Sequence, residues 1–211
     1  MKILAHRGYW KKRDEKNSVK SLREALSNGF GFESDVRDFC GKLVISHNPA
    51  DSGCCELEFI MEELEKYNND YCFAINIKSD GLKDLLITQL QMHKISNYFT
   101  FDMSVPQMIE YIQRGITVFT RQSEYERIPV FYEESAGVWV DSFNEFDWMT
   151  ESLIDEHIQN GKTVCIVSPE LHQKPYMRLW EALANMKINF DKLYLCTDMP
   201  DNAKKFFKDI I

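Results

Sequence analysis

Nine short apolar runs recur along this 211-residue chain, most of them separated by segments with helical spacing. They are Lys2–His6, Phe32–Phe39, Leu43–His47, Cys72–Lys78, Tyr98–Phe101, Thr117–Thr120, Gly137–Asp141, Thr163–Val167 and Lys192–Cys196. Most are continuous rather than alternating and rich in β-branched or aromatic residues. Parallel strands covered by helices on both faces have that pattern. Gly41, between Phe39 and Lys42, reads as a turn that joins the second and third runs into one hairpin-like element. Eight strand positions remain. With intervening helices they predict an α/β fold, a small (β/α)8 TIM barrel built at about 26 residues per unit. The first helix is marked by Val19, Leu22, Ala25 and Leu26, with Asn17 or Ser18 as its cap and Gly29 as its end. An open doubly wound sheet would call for a glycine-rich loop after the first strand, and none follows His6-Arg7-Gly8. No linker-like or low-complexity stretch divides the chain, and residues 48–71 are too few for an inserted domain. The expected organisation is therefore one domain over residues 1–211.

Charge narrows the function classes. The formal net charge is −8, with 33 acidic against 25 basic residues and no basic stripe. Nucleic acid is therefore excluded as the main partner, since its phosphates are repelled overall. A small phosphorylated ligand is not, because local charge in a pocket outweighs the total. Neither a charged leader with an apolar stretch nor an uninterrupted apolar run of about 18 residues is present, so a soluble, cytoplasmic protein without a transmembrane segment is expected. The six cysteines lack CxxC spacing. They fit a reducing compartment, with three of them as small hydrophobes inside apolar runs.

The polar residues at the run ends carry the chemistry. His6 and Arg7 close the first run, Glu33 and Asp35 share a face of the second, His47 closes the third, and Asn76 and Lys78 share a face of the fourth. Barrel enzymes work at the C-terminal ends of their strands. Two histidines can supply a proton acceptor and a proton donor near neutral pH. A Glu-x-Asp pair offers hard oxygen ligands to a divalent cation, and an adjacent arginine grips a phosphate. Singly, each element has a structural reading: a hydrogen-bonded histidine, a solvated acidic pair, a turn. Their joint occurrence points to metal-assisted phosphodiester cleavage. Further along, Arg121 can hold a second anionic group and Trp139 can wall a pocket or stack on a sugar face. Equally, Trp139 fits barrel core and Arg121–Asp141 a structural ion pair.

These residues resemble those of the glycerophosphodiester phosphodiesterases, within the phospholipase-C-like barrel superfamily, with this chain as a divergent member. The resemblance runs through His6-Arg7-Gly8, Asn17-Ser18, Gly29…Glu33-Ser34-Asp35-Val36, Gly41 to His47, Lys78, and Thr197-Asp198-Met199-Pro200. It is dense over residues 3–48 and sparse afterwards. It implies His6 and His47 as the acid/base pair, and Arg7 and Lys78 on the phosphate. It also implies one divalent cation, Mg²⁺ or Ca²⁺, on Glu33 and Asp35, and a place in lipid metabolism. Three positions depart from the pattern. Asn76 stands where the family has a third, acidic metal ligand, which should weaken the ion; Lys16 replaces an acid before the first helix; and Asn48 replaces an aspartate after the second histidine. The expected substrate is a small glycerophosphodiester-like molecule. The alternatives are a catalytically silent barrel that binds a phosphorylated ligand and a metal-dependent sugar isomerase. The latter needs more carboxylates at later strand ends than Asp141 and Asp198.

Overall fold

The computed structural model describes residues 1–210 and divides into two compact units, residues 5–118 and residues 1–4 with 119–211. Strands and helices alternate through both. The order is β1 (Lys2–His6), α1 (Val19–Ser27), β2 (Gly31–Phe39), β3 (Lys42–Ile45), β4 (Cys55–Glu56), α2 (Glu58–Glu65), β5 (Phe73–Ile77), α3 (Lys83–Met92), β6 (Tyr98–Phe101) and α4 (Val105–Gln113). It continues with β7 (Phe119–Gln122), β8 (Gly137–Val140), α5 (Glu151–Gln159), β9 (Thr163–Val167), α6 (Met177–Asn185), β10 (Leu193–Thr197) and α7 (Pro200–Phe206).

In the unit of residues 5–118, β2, β5 and β6 pair in parallel, with Asp35 opposite Asn76 and Val36 opposite Ile77. The far half of β2, Val36–Phe39, turns away into an antiparallel hairpin with β3, which in turn pairs with β4. Cys40 and Gly41, both at positive φ, make the turn that Gly41 predicts. β2 therefore leaves the parallel sheet just past Val36, which places the Asp35 carboxylate at the end of that pairing. Both faces of β5 are buried, as its apolar run demands. Ser18 caps α1 by accepting from Ser21 N–H, while Gly29, at φ 82°, closes it.

In the other unit, β7, β8, β9 and β10 form a parallel sheet with Arg121 opposite Trp139. No helix lies between β7 and β8; the chain crosses by a loop instead. Buried polar contacts fix that loop. Tyr132 O–H and His157 Nδ1 are 2.9 Å apart, and Lys162 Nζ donates to the carbonyls of Glu133 and Ser135. Gly137 is obligatory there, since a Cβ would sit 2.3 Å from Thr163 O. Cys72, Cys165 and Cys196 are buried, as their apolar settings predict. No helix among the described residues is long and apolar enough to cross a membrane.

Candidate active site

The turn after β1 builds the first part of the site. Arg7 and Gly8 both lie in the left-handed region, at φ 57° and 88°, and Gly8 N–H donates to Ala5 O. A Cβ on Gly8 would meet the Ser21 backbone at 2.6 Å, so only glycine fits against α1. Arg7 is not glycine, and a left-handed arginine is a strained arrangement of the kind that clusters at working sites. Its N–H reaches both the backbone carbonyl of Glu33, at 2.9 Å, and Glu33 Oε2, at 3.2 Å. The His6 carbonyl is held by Trp10 Nε1–H, at 3.0 Å.

Glu33 and Asp35 are fully buried side chains in one strand, and Asn76 is their buried neighbour on β5. Arg7 Nε approaches Asp35 Oδ2 to 2.9 Å, although not in hydrogen-bonding alignment. Asn17 Nδ2 donates to the same oxygen at 2.8 Å. Lys78, one residue past β5, places Nζ 3.6 Å from Asp35 Oδ1 and 3.2 Å from Asp102 Oδ2. His6 Nε2 lies 3.8 Å from Glu33 Oε2. Burial, and then the neighbouring Asp35, push the Glu33 carboxyl up to about 8, against the opposing pull of Arg7, Lys78 and the Asn76 amide. Two acids this close cannot both ionise cheaply in a dry site.

Asp35 Oδ1 and Asn76 Oδ1 are buried without a hydrogen-bond partner. Such atoms each cost about 1–3 kcal/mol unless something answers them. Two such oxygens on facing strands, one of them 3.6 Å from Lys78 Nζ, are with Glu33 the hard donor set that a divalent cation takes. The residues present therefore fit such an ion. The set is two carboxylates and an amide; among the described residues no group of three His, Cys, Asp or Glu is placed to hold a metal. An ion there would share Asp35 with Arg7 and Lys78.

His47 differs from its expected place. It lies beyond β3, in an exposed loop, with Nδ1 3.0 Å from Asn48 Oδ1. The strand stops at Ile45 because β3 loses its partner where β2 rejoins the parallel sheet. Arg37 anchors the loop through its guanidinium to the His47 carbonyl. His47 and Arg7 line one cavity of about 510 Å³. The sequence-predicted set thus gathers as His6, Arg7, Glu33, Asp35, Asn76 and Lys78, with His47 on the same cavity as Arg7. Arg121 and Trp139 belong to the other unit. There Arg121 pairs with Glu126 at 2.8 Å and Trp139 is buried on β8. Asp141 pairs with His172, at 2.7 Å.

Two residues escape the sequence reading as site members. Asn17 orients Asp35 and accepts from Ser34 Oγ–H at 2.8 Å, and Asp102 answers Lys78. Both have positive φ, at 59° and 71°. The available signal for Asp102 was its position directly after the apolar run Tyr98–Phe101.

No protein-family model matches the chain, and no curated protein sequence does. Solved structures do. A glycerophosphodiester phosphodiesterase from Parabacteroides distasonis is 18% identical with a TM-score of 0.75, over 99% of this chain and 97% of that one. An Oleispira antarctica phosphodiesterase, in complex with the product sn-glycerol-3-phosphate, is 16% identical with a TM-score of 0.70, over 99% and 97%. A Ca²⁺-dependent phosphatidylinositol-specific phospholipase C from Streptomyces antibioticus is 9% identical with a TM-score of 0.59, over 96% and 95%. The likeness shows the fold, the (β/α)8 barrel that the strand pattern predicts.

Proposed function

We propose that this protein is a phosphoric diester hydrolase acting on a small, glycerophosphodiester-like molecule. One observation carries the reading. Two histidines, a left-handed arginine, a lysine, a buried acid pair and a buried amide whose Oδ1, like that of Asp35, accepts no hydrogen bond lie at strand ends and in the loops beside them. Structures of the same fold supply the substrate class. One of them holds sn-glycerol-3-phosphate as product.

In this mechanism Arg7 and Lys78 receive the phosphate and offset the charge that builds on its equatorial oxygens. His6 takes the proton of the attacking water. As water's oxygen bonds to phosphorus, the phosphorus–oxygen bond to the leaving alcohol breaks. His47, with Nδ1–H held by Asn48 Oδ1, gives its Nε2 proton to the departing alkoxide. The products are a phosphomonoester and an alcohol. Glu33, Asp35 and Asn76 would hold a divalent cation, Mg²⁺ or Ca²⁺. When bound, it polarises a non-bridging phosphate oxygen and lowers the pKa of the nucleophile. The protein is read as a soluble, cytoplasmic single-domain enzyme.

A screen of glycerophosphodiester hydrolysis, with and without EDTA, tests this beside His6→Ala and His47→Ala. Each substitution should cost at least about a hundredfold in turnover. Full activity in either variant removes the acid/base assignment. The pairing of Asp35 with Arg7, Asn17 and Lys78 also suits a silent barrel that binds a phosphorylated ligand. Tight, metal-independent binding of diesters without turnover would favour that alternative.

A further inference from the structure

The cavity that contains Arg7 and His47 is larger than one phosphate needs, and its remaining wall carries two more cations among neutral residues. Its volume is about 510 Å³, and Arg13 and Lys16 line it together with small neutral residues such as Ser46 and Gly53. None of the described residues lining it is acidic. In a chain of net charge −8, three cations and a histidine on one concavity form a local field opposite to that of the whole molecule.

The local fold keeps it so. Of the two acids between Arg13 and Lys16 in sequence, Asp14 lines no part of the cavity, and Glu15 is held by Lys20 Nζ at 2.9 Å and by the N–H groups of Lys11 and Lys12. Lys16 Nζ sits 4.4 Å over the Trp10 ring, which restrains a flexible side chain at the cavity wall. Arg13 makes no ion pair among the described residues, whereas Lys20, Arg23 and Lys42 each have a carboxylate partner.

We propose that Arg13 and Lys16 bind a second anionic group of the substrate. The preferred substrate is then a phosphodiester in which one alcohol carries a further phosphate or carboxylate. This rests on the phosphodiesterase reading above and specifies its substrate.

The test compares two chromogenic compounds on the full-length protein at low salt: a p-nitrophenyl phosphodiester of glycerol, and the same compound with a second phosphate on its glycerol. The anionic compound should show a kcat/KM about tenfold higher or more, mainly through KM, and the ratio should shrink as salt is added. The double variant Arg13→Gln, Lys16→Gln should bring the ratio towards one, while Arg13→Lys, Lys16→Arg should preserve it. Equal kcat/KM values for the two compounds, or a preference that survives the neutral double variant, would overturn the proposal. If neither compound is cleaved, the hydrolase reading fails instead. Calorimetry with the same two compounds then reads the preference as a ratio of Kd, and equal Kd values reject it.

Discussion

Two regions of this molecule put polar side chains at strand ends, and they treat them oppositely. In the unit of residues 119–211, every such group described above finds a partner. Gln122 Oε1 lies 2.8 Å from His157 Nε2, while its amide donates to Arg127 O. Asp141 holds His172. Ser168 and Thr197 both donate to Glu170, and Trp180 Nε1–H donates to Ser168 Oγ. In the unit of residues 5–118, Arg7 Nε, Asp35 Oδ1 and Asn76 Oδ1 are buried without hydrogen-bond partners. The other three such atoms among the described residues, on Gln89, His93 and Tyr111, belong to α3, its C-terminal cap and α4 rather than to strand ends. A polar strand end is therefore not itself a mark of function. A polar strand end whose cost of burial is left unanswered is one, because folding alone would have selected against it.

The largest effect that sharpens this contrast is expected at Glu33. Glu33→Gln keeps the shape and removes one of two adjacent buried acids. Turnover should fall at least about a hundredfold, since a bound cation would lose a carboxylate ligand. The melting temperature at pH 7 should hold or rise, because like-charge repulsion and burial of a carboxyl are both relieved. Steady-state kinetics and a thermal melt on the same sample decide it. A large drop in melting temperature with turnover intact would make Glu33 a structural residue, like those of the other unit.

The converse is expected at His157. Burial holds its imidazole below the usual histidine range, and the ring ties Tyr132 to Gln122. His157→Leu leaves the buried Gln122 Oε1 without its donor and Tyr132 O–H without its acceptor, which should cost about 1–3 kcal/mol of stability in denaturant unfolding. Diester turnover per folded molecule should not change. If activity falls instead while stability holds, the satisfied network is functional and the contrast between the units fails.

Most of the strand order was legible because parallel strands buried on both faces must be continuously apolar, and such runs stand out. The boundaries that slipped did so for local reasons. β7 runs to Gln122 because Arg121 and Gln122 pair with β8 despite being polar. β5 stops at Ile77, though Lys78 N–H still reaches Val36 O. β4 is two residues long and carries no periodicity. The crossing from β7 to β8 without a helix depends on contacts such as Lys162 to Glu133 O, across 29 positions, which no window of sequence reveals. At the site, His6, Glu33, Asp35 and Lys78 could be read from strand parity. His47 could be read by identity, but its place in a loop could not. Asn17 and Asp102 act through left-handed backbone that only the folded chain displays.

The smallest expected effect concerns His172, and its sign makes it informative. His172 Nε2 lies 2.7 Å from Asp141 Oδ1, and its ring packs 5.0 Å from Phe143. The hydrogen bond to Asp141 raises the imidazole above its ordinary range despite partial burial. A group that binds its proton more tightly when folded stabilises the fold fully below its unfolded value, about 6.5. That contribution is lost as pH rises through the raised folded value. Wild type should therefore exceed His172→Gln by about 0.5–1 kcal/mol at pH 6 in urea unfolding, and the gap should close above neutrality. His157 is present in both proteins and cancels. Because burial lowers it, its own contribution runs the other way, lost as pH falls below about 6.5. A gap that widens with pH would mean that His172 is held neutral. Asp141 would then keep the Ser142 N–H as its donor without a cationic partner, and the second unit would have to be searched for a site of its own.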